Sequence, residues 1–294
     1  MKKLYGTGVA LVTPFDSNGK VDFKALKRLL VHTAKGVDYY VVMGTTGESA
    51  TVSSEEKEQV LEFVKANNRA GLPIVYGIGG NNTQHVLETI ALADFKGVDA
   101  VLSVSPYYNK PSQQGIFQHF TAIADASPRP VILYNVPGRT ASNISAGTTL
   151  KLAHHKNIIG VKEASGNLEQ CMRIARDMPR DFLLISGDDL LTVPIYAIGG
   201  KGVISVLANA VPLVFRKMKE FAFAGDFAHA SREQFSLLDI NGLMYEESNP
   251  VGLKQLLKEA GICGNYVRLP LLEASPALQQ KIREASAALK KRKG

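Results

Sequence analysis

Cysteine is scarce in this chain. There are two in 294 residues, Cys171 and Cys263, and no Cys-x-x-Cys pair. That excludes a disulfide framework and a cysteine-built structural metal site. Histidine is sparse too. His32, His85, His119, His154, His155 and His229 all fall away from the predicted strand ends. His154 and His155 are adjacent, and adjacent residues do not share a helix face. A metal-dependent chemistry is not expected, and Asp188-Asp189 reads as a turn or helix cap rather than a magnesium site. No Gly-x-Gly-x-x-Gly follows a strand, and Gly77-Ile78-Gly79-Gly80 has the wrong spacing. The dinucleotide fingerprint is therefore missing. No uninterrupted apolar run is long enough to span a bilayer. The opening Met1-Lys2-Lys3-Leu4-Tyr5-Gly6 lacks the apolar core of a secretory signal. The expectation is a cytoplasmic protein with no membrane partner.

What is present is a chain rich in core material. Hydrophobic residues make up 45% and charged residues 21%, and the net charge is +7. Much of that charge sits in Lys290-Lys291-Arg292-Lys293, which reads as a solvated helix end rather than a nucleic-acid site. The remaining positive balance suits small anionic substrates without naming one.

Short Val/Ile-rich runs alternate with segments of helical period. Strands are predicted at 8–12, 39–43, 74–78, 100–104, 131–134, 158–162, 183–186 and 202–206. Their near-continuous apolarity suits parallel strands covered on both faces. Ser53-Ser54-Glu55-Glu56 is a helix start, with Val60, Phe63 and Val64 on the apolar face. Thr83 opens another, leading into Val86, Leu87 and Ile90. Pro73 and Pro130 stand just before strands, where a missing N–H does least harm. Eight strand–helix units in one chain predict an α/β fold, a (β/α)8 TIM barrel. After the eighth strand the chain reads as helical, with amphipathic stretches near 214–223, 227–238, 251–260 and 277–289. The predicted organisation is a barrel core at 1–210 carrying the catalytic site and a C-terminal helical appendage at 211–294.

In such a barrel, chemistry gathers at the carboxyl ends of the strands. Strand two runs into Gly44-Thr45-Thr46-Gly47-Glu48-Ser49, and strand four into Ser105-Pro106-Tyr107-Tyr108-Asn109. Strand five runs into Tyr134-Asn135-Val136-Pro137-Gly138-Arg139-Thr140. Strand seven ends in Gly187-Asp188, and strand eight holds Ile204. Strand six is the most telling. Its run Ile158-Ile159-Gly160-Val161 ends in Lys162. A buried ammonium is costly unless paired or neutralised. Lys162 is thus either tied to a carboxylate such as Glu163 or Asp188, or kept as an amine that attacks a carbonyl. Tyr134 on the neighbouring strand favours the second reading, because a phenol can shuttle protons to a carbinolamine. The threonine turn offers hydroxyls and backbone N–H groups to a carboxylate. The planar fork of Arg139 suits a second one.

Three motifs in this order resemble those of the pyruvate-dependent class I lyases, the dihydrodipicolinate synthase and N-acetylneuraminate lyase family. They are Gly44-Thr45-Thr46-Gly47-Glu48-Ser49, Tyr134-Asn135-Val136-Pro137 and Gly160-Val161-Lys162-Glu163-Ala164-Ser165-Gly166. Ser105-Pro106-Tyr107-Tyr108-Asn109 and Arg139-Thr140 favour the synthase branch over the aldolases of N-acetylneuraminate or 2-keto-3-deoxy sugar acids. The resemblance implies that Lys162 forms an imine with pyruvate and that Thr45 and Thr46 hold its carboxylate. It implies a proton relay of Tyr134, Thr45 and Tyr108, with Tyr108 reaching in from a neighbouring subunit. Arg139 would bind aspartate-4-semialdehyde, and Ile204, Gly187 and Asp188 would line the pocket. The product would be 4-hydroxy-tetrahydrodipicolinate, made for lysine biosynthesis. No metal or organic cofactor is implied, and the assembly expected from the family is a homotetramer, a dimer of dimers. The sequence departs from lysine-inhibited members near Ser49, Ser54, Lys57, Asn81, His85 and Tyr107. Lys57 and His85 replace a histidine and a glutamate there, so feedback by lysine is expected to be weak or absent.

Overall fold

The structure is a computed structural model, and it describes residues 2–291. Eight parallel strands hydrogen-bond in chain order and the sheet closes into a barrel. They are β1 (Gly6–Ala10), β2 (Tyr39–Val42), β3 (Ile74–Gly77), β4 (Ala100–Val104), β5 (Val131–Asn135), β6 (Ile158–Glu163), β7 (Leu183–Ser186) and β8 (Gly202–Ser205). Each predicted strand is found, shifted by two residues or fewer at its ends. Nearly every strand residue is buried on both faces, as continuous apolar runs require. The predicted (β/α)8 fold is therefore observed.

The chain packs as two compact units. One holds Pro73–Ile204 with the first few residues, and so contains β3 to β7 and most of β8. The other holds Thr7–Leu72 and the chain from Ser205 on. Within the second unit, the helices that follow β8 join the first two strand–helix repeats. Asn209 accepts from the Val12 N–H at 3.2 Å and donates to the Ala10 carbonyl at 2.8 Å. Gly36 lies so close to Pro212 that a Cβ would sit 2.4 Å from its carbonyl oxygen.

Local signals set the helix starts. Ser53 caps the helix Ser54–Asn67, and Glu56 reaches back to the Ser53 N–H in a full capping box. Thr83 is the first residue of its helix, with Asn82 as the cap. The C-terminal helices are Pro212–Phe223, Phe227–Phe235, Leu238–Asn241, Val251–Glu259 and Pro276–Lys291. Arg292 and Lys293 of the basic tail lie outside the described residues. Among those described, no helix is long and apolar enough to cross a membrane.

Candidate active site

The centre of the site is a register pair on neighbouring strands. Tyr134 on β5 stands opposite Lys162 on β6, and Asn135 stands opposite Glu163 one position further on. Lys162 is 5% exposed and Tyr134 is 7%. The Lys162 Nζ lies 4.1 Å from the centroid of the Tyr134 ring. Alternation along a strand sends Lys162 and Glu163 to opposite faces. The Glu163 carboxylate is engaged elsewhere, by Asn135, Ser165 and Gln170. The Asp188 side chain is engaged too, accepting the Leu190 N–H at 2.9 Å and capping the turn Asp189–Leu191. Both carboxylates that offered Lys162 a structural partner are thus committed to other groups. Among the described residues, none pairs with the lysine. What the arrangement leaves is a shielded primary amine against a phenol, which is the equipment for adding an amine to a carbonyl and moving the protons that follow.

Gly187 contributes by having no side chain. A Cβ there would come within 2.5 Å of the Ala164 Cβ and 3.1 Å of the Lys162 Cε. The glycine N–H is bonded to the Glu163 carbonyl at 2.7 Å, which fixes that approach. Ile204 is fully buried within β8. Arg139 lies on the short helix Pro137–Thr140 directly after β5, and its side chain is exposed. Tyr108 is 85% exposed and holds a left-handed φ of 73° in the loop after β4. This chain does not bring its phenol to Lys162.

In the other unit, the carboxyl end of β2 leads into the tight turn Thr45–Gly47. Two non-glycine residues with left-handed φ flank it, Met43 at 60° and Glu48 at 54°. Such backbone is strained and persists only where its surroundings fix it. Here they do. Thr13 Oγ1 donates to the Gly47 carbonyl at 2.7 Å, and Asn249 Nδ2 donates to Thr46 Oγ1 at 3.0 Å. Receiving that bond leaves the Thr46 O–H proton free to point at an acceptor. Glu48 is anchored by Lys254 at 2.5 Å, both side chains buried, and by the Arg268 N–H at 3.1 Å. Burial pushes the Lys254 ammonium below the usual lysine range, with Glu48 acting against that trend. Arg268 in turn grips Glu56 and holds its carboxyl down at about 2.

Sequence reading missed these supports. Asn249, Lys254 and the Asn135–Glu163 pair are ordinary residue types in one dimension. One signal was available for two of them. Lys254 puts a charge, beside the polar Gln255, inside the otherwise apolar stretch 251–257, and Glu163 falls on the helix-covered face of a strand, where a charge needs partners. Among the described residues, no group of three His, Cys, Asp or Glu side chains is placed to hold a metal.

The model of the dihydrodipicolinate synthetase family matches residues 3–290. A 4-hydroxy-tetrahydrodipicolinate synthase of Cytophaga hutchinsonii is 53% identical over 286 residues, covering 97% of this chain and 96% of that protein. The solved dihydrodipicolinate synthase of Acinetobacter baumannii, described as chloride-inhibited and complexed with pyruvate, has a TM-score of 0.94 at 36% identity. It covers 98% of this chain and 99% of its own. A solved monomeric variant of dihydrodipicolinate synthase has a TM-score of 0.92 at 34% identity, with 98% and 97% covered.

Proposed function

Since the chain belongs to the dihydrodipicolinate synthetase family, we propose that it condenses pyruvate with L-aspartate-4-semialdehyde to give 4-hydroxy-tetrahydrodipicolinate for lysine biosynthesis. The observation that carries this reading is the buried Lys162 amine, unpaired by any carboxylate among the described residues and set against the Tyr134 ring. Its mechanism is that of a class I aldolase. The amine adds to the keto carbon of pyruvate, water leaves, and an iminium remains. The iminium draws electrons from the pyruvate methyl group, which loses a proton to become an enamine. The enamine carbon attacks the aldehyde, forming the new carbon–carbon bond. The acceptor's own amine then displaces the lysine as the ring closes. Lysine is the electron sink throughout, so the steps balance without metal or organic cofactor.

In this reading Tyr134 carries protons to and from the carbinolamine, in a relay with Thr45 and with Tyr108. The Thr46 hydroxyl, oriented by Asn249, receives the pyruvate carboxylate together with Thr45. Arg139 takes the carboxylate of the aldehyde. Ile204, Gly187 and Asp188 line the pocket. The exposure of Tyr108 supports its use by a neighbouring copy of the chain, and hence a homo-oligomer, a tetramer by family expectation. The enzyme acts in the cytoplasm without nucleic-acid or membrane partners.

The test is mass spectrometry after pyruvate and borohydride. The wild type is expected to gain one reduced pyruvate on the peptide bearing Lys162, and Lys162→Ala is expected to gain none while keeping its fold. An adduct on that variant would refute the assignment. Turnover with aspartate semialdehyde, set against N-acetylmannosamine, separates this activity from a sugar-acid aldolase.

A further inference from the structure

Directly behind the reacting pair, on the outer face of β5 and β6, lies a buried carboxylate that no lysine or arginine among the described residues accompanies. Glu163 is 2% exposed and Asn135 is fully buried. Three groups donate to Glu163, and the buried Cys171 thiol lies within reach of its charge. Asn135 Nδ2 reaches both oxygens at 3.0 Å, the Ser165 N–H reaches Oε1 at 2.8 Å, and Gln170 Nε2 reaches Oε2 at 2.9 Å. Asn135 is itself held on its other side. Its Nδ2 donates to Asn143 Oδ1 at 2.8 Å, and its Oδ1 accepts the Ile144 N–H at 2.9 Å.

This network joins three pieces of chain. It bonds the last rung of β5 to the last rung of β6. It bonds β6 to the helix Leu168–Asp177 through Gln170, which also reaches the Ile144 carbonyl. And it fastens residues 143 and 144 back to Asn135, closing the excursion that carries Arg139. Beyond this rung the two strands are joined by the single backbone bond from the Ala164 N–H to the Asn135 carbonyl, at 2.8 Å. A buried charge is an expensive way to hold strands together, since well-packed apolar residues often do as well or better. What the polar version supplies is direction. Four donor–acceptor contacts define one orientation, whereas apolar contact leaves several.

We propose that Glu163 and Asn135 form a positioning clasp that sets Lys162 against Tyr134 and holds the Arg139 loop at the same strand ends. Neither residue touches substrate. The clasp rests on the reading of Lys162 as the imine-forming amine, and it adds residues which that reading does not use.

Glu163→Gln tests it. The substitution keeps the shape but turns one acceptor into a donor facing other donors. Pyruvate is mixed with each variant and quenched with borohydride over time, alongside thermal unfolding. Glu163→Gln is expected to form adduct about tenfold to a hundredfold more slowly, as for a misplacement on the order of 1 Å. The double variant Asn135→Asp with Glu163→Gln restores a bond between the two side chains with its direction reversed, while giving up the bond to Asn143 Oδ1 and setting one outer donor against the new amide, and it is expected to recover part of the rate. A wild-type rate in Glu163→Gln overturns the clasp. So does a double variant that recovers melting temperature but not rate. Should Glu163→Gln fail to fold, Gln170→Ala removes one donor from outside the strands. A several-fold slower adduct then supports the clasp, and an unchanged rate overturns it. Absence of adduct in the wild type is a separate result, which removes the reading of Lys162 and the clasp with it.

Discussion

Gly187→Ala asks whether the absence of one methyl group is what gives Lys162 its place. The added Cβ would meet the Ala164 Cβ at 2.5 Å and the Lys162 Cε at 3.1 Å. Carbon atoms rest about 3.5–4.0 Å apart, so the first contact is short by about 1 Å and the second by about half that. Ala164 has no rotamer to change, and the bond from the Gly187 N–H to the Glu163 carbonyl resists retreat. Overpacking of this kind costs about 1–3 kcal/mol. If half or more of that strain is taken up by moving the lysine, adduct formation slows by about two- to a hundredfold, at roughly 1.4 kcal/mol per tenfold. The assay is the borohydride-quenched time course, with urea unfolding for stability. Ala164→Gly in the same chain separates the two contacts. It relieves the 2.5 Å clash, so stability is expected to return, while the Cε contact keeps adduct formation slow. Wild-type stability together with a wild-type adduct rate in Gly187→Ala would refute the argument, because space at 187 would then not be limiting.

Tyr134→Phe is expected to keep pyruvate binding within a few-fold and to lower kcat by about a hundredfold, the scale of a lost proton carrier; near-wild-type turnover in steady-state kinetics would make the phenol structural. Arg139→Ala is expected to raise KM for aspartate semialdehyde far more than KM for pyruvate, and equal effects on both would remove its assignment to the aldehyde. Free lysine at sub-millimolar concentration is expected to leave the initial rate unchanged, because His85 stands where the resemblance places the glutamate that meets the inhibitor's ammonium, and Lys57 where it places a histidine; clear inhibition in that assay would end the idea. His119 is buried, with Thr83 Oγ1 2.8 Å from its Nδ1, and burial pushes its imidazole down to about 4. The unfolded chain therefore binds the extra proton first, and the contribution of His119 to stability is full above pH 6.5 and lost as pH falls toward 4. From pH 7 to 4.5 the wild type should lose about 2–3 kcal/mol more than His119→Leu in urea unfolding, and an equal loss in both would show that this histidine does not set the slope.

Much of the barrel was legible because its signal is local and repetitive. Runs such as 100–104 and 183–186 are apolar without alternation, and only a strand covered on both faces asks for that. The capping box at Ser53 and Glu56 fixed a helix start by contacts three residues apart. Lys162 was legible as a residue that needs a partner or a use, because an ammonium at the end of an apolar strand is expensive otherwise. The basic tail could be read only as charge, and the chain's division into two compact units could not be read at all. Thr7–Leu72 joins the segment from Ser205 on through contacts such as Asn209 to Val12, nearly two hundred residues apart, and no periodicity encodes them.

Sequence by itself determined the element order and the closed eight-stranded plan, and it marked Lys162 as the candidate amine. Each follows from hydrophobic period, capping chemistry or the cost of a buried charge, and all of these act over a few residues. Tertiary structure decided which carboxylates are unavailable to that amine. Glu163 is turned away by strand alternation and held by three neighbours, and Asp188 is spent on its own turn. It also placed Gly187 where a Cβ would crowd Ala164 and Lys162, and set Asn249 and Lys254 to support the threonine turn. Those facts depend on distances of a few ångströms between residues far apart in the chain, and only the folded backbone sets them.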